Sequence, residues 1–142
     1  MATATFTKFN CFAEDVGKKV HNLASDTFKI CLTNTAPVAA TSKVLTDITE
    51  ITAANGYAAG GNAVPNTAYA QASGTGTFSG DAVTFTGSGG TIGPFRYAVI
   101  YNSTATGKNL VGFWDYGSSG SFDTLVVNEN SQSTGGTILT IA

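Results

Sequence analysis

The chain has 142 residues and a formal net charge of −2, and charged residues make up only 11% of it. A length of this order is typical of one domain, which can bury enough surface to fold without disulfides. The low net charge and the 42% of apolar residues exclude an intrinsically disordered chain. Nucleic-acid-binding proteins carry a basic balance that this chain lacks, and no apolar run approaches the roughly 20 residues of a transmembrane helix.

The first predicted element is a helix over residues 7–23. Apolar side chains recur there at three- and four-residue spacing, which places them on one face of a helix. They are Phe9, Phe12, Ala13, Val16, Val20 and Leu23. Gly17 falls inside this span, where glycine costs about 1 kcal/mol relative to alanine.

Strands are predicted from about residue 27 onward. Residues 27–33 alternate in polarity with a period of two, and Pro37 ends this run because proline cannot donate to a ladder. Residues 38–64 predict a long ordered loop with apolar anchors. The other predicted strands are residues 70–78, with a bulge at its glycines, 82–86, 95–101, 110–116, 122–127 and 137–141. The most apolar strand, 95–101, is predicted at the sheet centre and in a hairpin with 110–116.

Six to eight short strands with glycine-rich turns define the expected fold class. We predict a single domain over residues 1–142 that is mainly β, an antiparallel β-sandwich or jelly-roll-like fold with one N-terminal α-helix.

The residues that usually carry catalysis are few and scattered. Cys11 and Cys31 lie among apolar neighbours and are predicted to be buried free thiols. His21 is the one histidine, and Ser25 and Asp26 follow it too closely for a triad assembled from distant segments. We therefore predict no catalytic residue, no cofactor and no metal site, and a protein that is not an enzyme.

Two weaker alternatives involve carboxylates. Asp81 or Asp123 could belong to a calcium-binding loop, although no EF-hand pattern is present. The second alternative is a glycosidase with Asp115 as a catalytic carboxylate, because Asp115 lies between Trp114 and Tyr116 and is the one carboxylate in an aromatic setting.

Aromatic side chains are the remaining candidates for a binding surface. Tyr97 and Tyr101 share one face of a predicted strand, as do Trp114 and Tyr116, and such a pair could hold a sugar ring or a partner protein. Packing within the core is the favoured interpretation for these four. Tyr57, flanked by small residues in the long loop, is predicted to be an exposed contact.

A set of short runs occurs in a fixed order along the chain. They are KICLTNTAP (29–37), LTDITEI (45–51), NGY (55–57) with GG (60–61), IGPFRYAVIYN (92–102) and WDYG (114–117). Together these runs resemble a family of small proteins encoded among the virion genes of tailed bacteriophages and prophages, over residues from about 9 to 142. The resemblance implies a phage virion protein, and it brings no catalytic residues to this chain.

The resemblance leads to a functional expectation of a capsid decoration protein, or cement protein, that stabilises the head. Its expected partners are the major capsid protein and copies of itself, with a trimer favoured, and neither nucleic acid nor membrane. The expected location is the capsid surface of the virion, after synthesis in the host cytoplasm, since no secretory signal is recognised at the N-terminus. The predicted contact residues are Thr3, Thr5, Phe6, Tyr57, Trp114 and Tyr116.

Two other functions remain open at this stage. The first is a structural protein of the tail, associated with the baseplate or a fibre. The second is a β-sandwich module that binds a glycan or receptor through its aromatic side chains.

Overall fold

Antiparallel strands dominate the computed structural model, which describes residues 4–127 and 136–142. The strands are β1 (Thr5–Lys8), β2 (Phe28–Thr33), β3 (Asn62–Ala63), β4 (Ala68–Ala72), β5 (Thr75–Gly80), β6 (Val83–Thr86), β7 (Ile92–Asn102), β8 (Leu110–Phe122), β9 (Thr124–Val127) and β10 (Gly136–Ile141). One α-helix, α1 (Cys11–Gly17), and a 3-10 turn at Leu45–Asp47 complete the described elements. The predicted class is confirmed: the fold is mainly β and antiparallel, with one short helix near the N-terminus.

The strands form one large sheet and two small ones. The five-stranded sheet has the order β1-β8-β7-β2-β3, and the small sheets have the orders β10-β5-β4 and β6-β9. β7 lies at the centre of the large sheet, and β7 and β8 pair as an antiparallel hairpin. Both features agree with the predictions made from the apolar run over residues 95–101.

One face of the large sheet packs against both small sheets, as in a β-sandwich. Phe28 of β2 meets Phe78 of β5 with ring centroids 4.8 Å apart. The shared core also contains Phe85 of β6 and Leu125 of β9, each almost fully buried. Burial of this apolar surface is the main favourable term that holds the layers together.

The other face of the large sheet is covered by the long connection between β2 and β3. Ile48 is buried in a second apolar cluster with Val99 and Tyr101 of β7, and Leu45 packs against that cluster. An antiparallel backbone bridge joins Thr33, at the end of β2, to Glu50 of the same connection. The prediction of an ordered loop with apolar anchors is confirmed.

The helix is shorter than the predicted span of residues 7–23. It covers only Cys11–Gly17, and the residues just before it form β1, in antiparallel register with β8. Phe9, assigned to the helix face by its spacing, lies before the helix, and its ring contacts Phe113 at 5.2 Å. Pairing with a strand from the far end of the chain overrides the local helical spacing.

A Schellman motif ends the helix. Val20 N–H donates to the Asp15 carbonyl at 2.8 Å, and Lys19 N–H donates to the Val16 carbonyl at 3.2 Å. Lys19 occupies the left-handed position of the motif with φ +63°, a place that glycine usually takes. The spacing of apolar residues contains no signal for this stop, because Val20 and Leu23 continue the stripe beyond it.

The predicted strand over residues 70–78 is two strands. β4 and β5 form a hairpin whose turn residues, Ser73 and Gly74, have φ of +51° and +84°. Positive φ at both central residues is the signature of the turn that best matches the twist of two paired strands. Gly74, one of the two glycines that suggested a bulge, therefore marks a reversal of the chain, whereas Gly76 lies within β5.

Candidate interaction sites

The predicted N-terminal contact residues lie on an edge strand of the large sheet. Thr5 and Phe6 belong to β1 and are in register with Asp115 and Trp114 of β8. Thr5 is exposed and Phe6 is half-buried, whereas Thr3 lies outside the described residues. This segment is thus a strand of the large sheet, and Thr5 is accessible for the predicted contact.

The outer edge of β1 has no strand partner within the described residues, where β1 pairs only with β8. The open part of this edge ends at Lys8, because the next outward N–H, that of Asn10, donates to the Ala39 carbonyl at 2.9 Å. Phe9 N–H donates to the Val111 carbonyl at 3.1 Å, so the backbone groups of Phe9 face β8. Because the direction alternates along an antiparallel strand, the N–H and C=O groups of Phe6 and Lys8 point away from the sheet.

Trp114 is not the exposed platform that the prediction required. Its exposed fraction is 8%, and its ring centroid lies 4.9 Å from that of Phe6. Tyr116 is half-buried, with its ring edge-on to Phe95 at 5.9 Å. Core packing, the interpretation that the sequence favours for Trp114, is confirmed. The use of Trp114 as an exposed contact is wrong, because β1 brings Phe6 across its ring, whereas Tyr116 is partly exposed.

Tyr57 is also buried, with an exposed fraction of 3%. Its hydroxyl oxygen accepts a hydrogen bond from Leu32 N–H at 3.0 Å, and its ring packs against Phe85 at 5.8 Å. Burial raises the pKa of the Tyr57 hydroxyl. The prediction of an exposed contact is wrong here too, because the flanking small residues let the loop turn tightly and insert this ring into the core.

Tyr97 and Tyr101 share one face of β7, as predicted, and both are buried. The Tyr101 hydroxyl donates to the Gly60 carbonyl at 2.7 Å, while the Glu50 carboxylate accepts from Gly60 N–H at 2.7 Å. Burial raises the pKa of Tyr101 to about 12. These tyrosines anchor the long connection to the sheet, which is the packing interpretation favoured from the sequence.

Asp115 forms a bidentate ion pair with Arg96. Arg96 Nε and Nη2 donate to its two carboxylate oxygens at 2.8 and 3.1 Å. The hydrogen bond from Arg96, followed by one from Gly117 N–H, holds the pKa of Asp115 below its usual range. Both oxygens of this carboxylate are therefore engaged in a cross-strand contact between β7 and β8.

The cysteines are free thiols. Cys31 is fully buried in the second apolar cluster, and Cys11 is half-buried beside backbone carbonyls that include that of Ser42. Burial raises the pKa of both thiols, that of Cys11 to about 11. A high pKa disfavours the nucleophilic thiolate at neutral pH.

His21 belongs to a buried polar cluster with Asn102 and Asp26. The Asn102 amide nitrogen lies 3.1 Å from His21 Nδ1 and 2.7 Å from Asp26 Oδ2. The Asn102 amide oxygen accepts from Thr104 and Ala105 N–H groups, which fixes the orientation of the amide. His21 Nδ1 is therefore the acceptor of this pair, and the ring proton of the neutral imidazole resides on Nε2.

Protonation of His21 would add a proton to Nδ1, which would then be a hydrogen-bond donor facing the Asn102 amide nitrogen, itself a donor. Burial lowers the pKa of His21, and the carboxylates of Asp15 and Asp26 offset part of this effect. The cluster therefore ties the segment after the helix to the end of β7 with a neutral imidazole. Asn102, the member that organises it, lies far from His21 in the sequence, where no spacing rule could reveal it.

Beside this cluster lies a groove of about 740 Å³, here called the helix-exit groove. Its walls are Val16 of α1 with the segment that follows the helix, the connection between β7 and β8, and one side chain each from β4 and β10. The lining residues are Val16, Lys19–Leu23, Ala24, Asp26, Tyr69, Thr104–Gly107, Asn109 and Ile141. Its size is within the range of sites that hold small ligands.

No group of three or more His, Cys, Asp or Glu residues in residues 4–127 and 136–142 is placed to hold a metal ion. In the same residues no helix has the length and apolar character needed to cross a membrane.

The fold and these sites define an antiparallel β protein with an open sheet edge and a polar groove. Comparison of the chain with protein-family models, with curated proteins and with solved structures found no match in any of the three.

Proposed function

We propose that this chain is a non-enzymatic structural protein of a bacteriophage virion, and that it decorates the capsid. The observation that carries the proposal is the open edge of β1 in a sheet whose two faces are both covered. The resemblance of its ordered sequence runs to small phage virion proteins supports the same assignment. In this proposal the major capsid protein supplies the segment that binds the edge.

The surface character supports a contact made through the backbone. Val38 is the one large apolar side chain in the exposed class among the described residues, so little fully exposed apolar surface is available there for docking. Charged residues are also few, at 11% of the sequence. Addition of a strand supplies main-chain hydrogen bonds that need neither feature.

β1 is suited to such an addition. Natural proteins commonly protect open edges with charges, proline or bulges, and β1 has a single charge, Lys8, and no proline. The opposite edge of the same sheet, β3, has only two residues. Among residues 4–127 and 136–142, β4 also lacks a partner on one side. It belongs to a small sheet, however, whereas a strand added to β1 extends the large sheet, which is covered on both faces.

Association of copies completes the proposal. Capsid decoration proteins commonly sit at local three-fold axes, which favours a trimer, and repetition of one contact over the shell multiplies its effect. The proposed location is the outer surface of the virion head, reached after synthesis in the host cytoplasm. Attachment to the tail, at a baseplate or fibre, is the alternative, since an open edge would serve there as well.

Substitution at Lys8 tests the role of the edge. The N–H of Lys8 points away from β8, so Lys8→Pro removes an outward donor and leaves the pairing with β8 intact. We expect Lys8→Pro to lower the amount of protein incorporated into virions by about tenfold, the effect of one lost hydrogen bond per copy. Incorporation is measured by mass spectrometry of virions assembled with each variant.

Lys8→Ala is the matched control, because it removes the same side chain and retains the N–H. We expect it to be incorporated at close to the wild-type level, with an unchanged unfolding midpoint for both variants. Equal incorporation of Lys8→Pro and wild-type protein would overturn the role of the β1 edge. Equal loss in both variants would assign the contact to the lysine side chain instead.

A further inference from the structure

We propose that the helix-exit groove binds a neutral carbohydrate. This site is separate from the β1 edge and does not depend on the capsid assignment. It also differs from the aromatic site that the sequence suggested, since Trp114 and Tyr57 are buried.

Side chains with unused hydrogen-bonding capacity line the groove. The Asn22 amide oxygen accepts from Ala24 N–H at 3.2 Å, which leaves its amide nitrogen with no partner in the described residues. The Thr106 hydroxyl and the Lys19 ammonium group likewise have no partner there, and all three residues are exposed. Amide and hydroxyl groups placed in this way can exchange hydrogen bonds with the hydroxyl groups of a sugar.

Hydrogen bonds connect the residues that form both walls of the groove. Asp26 Oδ2 accepts from Asn22 N–H at 2.8 Å and from the buried Asn102 amide, and the Thr104 hydroxyl oxygen accepts from Thr27 N–H at 2.9 Å. These bonds fix both walls before any ligand arrives. Preorganisation lowers the entropy that a small ligand must lose on binding.

Apolar surface forms the rest of the lining. Val16, Val20 and Ile141 are half-buried, and the half-buried ring of Tyr69 stands beside them. Sugar rings combine apolar C–H surface with peripheral hydroxyl groups. A mixed polar and apolar lining of this kind therefore suits a sugar better than it suits a lipid, which prefers a purely apolar lining.

The charge balance of the groove selects for a neutral ligand. Lys19 and Asp26 carry opposite charges, and His21 is neutral, so the lining has no net charge. An anionic ligand such as a phosphate would require a second cation, and the lining contains none.

Nuclear magnetic resonance titration of the ¹⁵N-labelled protein tests the proposal. The probes are maltotriose, chitotriose, lactose and L-rhamnose, with D-glucuronic acid as the charged counterpart. At least one neutral probe is expected to shift the amide signals of residues 19–26 and 104–109 in a saturable manner. No response to any neutral probe, shifts confined to other residues, or binding of glucuronic acid alone would each overturn the proposal.

Three variants localise the binding. Thr106→Val keeps the side-chain shape and removes the hydroxyl, and it is expected to weaken binding by about three- to tenfold, the range for one hydrogen bond. Thr46→Val makes the same change at an exposed position outside the groove and should leave the affinity unchanged. Ala24→Trp, at an exposed position on the rim, should abolish binding, whereas undiminished affinity in this variant would place the ligand elsewhere.

Discussion

Replacement of Phe28 by alanine is expected to lower the free energy of unfolding by about 3–5 kcal/mol. Phe28 is fully buried, and its ring joins the large sheet to the small one through Phe78 at 4.8 Å. The same ring lies 6.2 Å from His21, so its loss leaves a cavity where three layers of side chains meet. Urea denaturation of the two proteins, compared at equal slope, measures the difference.

Val38→Ala is the control for this prediction. Val38 is 53% exposed, so truncation there should change stability by no more than about 0.5 kcal/mol. A loss below about 1 kcal/mol for Phe28→Ala would contradict the packing of β2 against β5.

Gly61→Ala is expected to reduce stability by about 3 kcal/mol or more, at the upper end of single-substitution effects. Gly61 has φ +73°, and a Cβ atom there would lie 1.8 Å from the carbonyl oxygen of Ile30. The chain must therefore move away from β2, which breaks the pairing of Lys29 and Ile30 with β3. Thermal unfolding followed by circular dichroism would show a large fall in the midpoint.

Two other glycines distinguish the cost of the positive φ at Gly61 from the cost of its close approach to Ile30. Gly74 has φ +84° but no atom within 4 Å of a Cβ position, so Gly74→Ala should cost only the left-handed term of about 1–2 kcal/mol. Gly17 has neither constraint, and Gly17→Ala should be neutral or stabilising by up to about 1 kcal/mol. A Gly61→Ala loss no larger than that of Gly74→Ala would contradict the close approach to Ile30.

The sequence predicts those elements whose pattern is local and strong. Alternation over residues 27–33 identifies β2, and the apolar run over 95–101 identifies the central strand. Both strands are buried on two faces because the small sheets cover one face of the large sheet and the long connection covers the other. The ordered loop over 38–64 was predictable because Leu45 and Ile48 are apolar anchors that a linker would not need.

The errors come from contacts between distant parts of the chain. β1 forms because β8 offers a partner, and this pairing also covers Trp114 with Phe6. The local spacing of apolar residues near residue 9 predicts neither the pairing of β1 with β8 nor the packing of Phe6 on Trp114. The hairpin turn at Ser73 and Gly74 was missed because a serine with positive φ is uncommon.

The candidate sites were less predictable than the fold. Tyr57 was predicted to be exposed from its small neighbours, yet those same neighbours permit the turn that buries it. The helix-exit groove depends on Lys19 in a left-handed conformation and on Asn102 meeting His21 and Asp26. The sequence contains these residues, but only the folded chain brings them together.

The most direct test of the proposed function is a count of this chain in purified virions. Quantitative mass spectrometry would compare its copy number with that of the major capsid protein in particles from a host that carries the gene. A decoration protein predicts hundreds of copies, in a ratio to the capsid protein set by the lattice. A few dozen copies or fewer would contradict decoration in favour of the tail, and absence from the particles would contradict a virion role altogether.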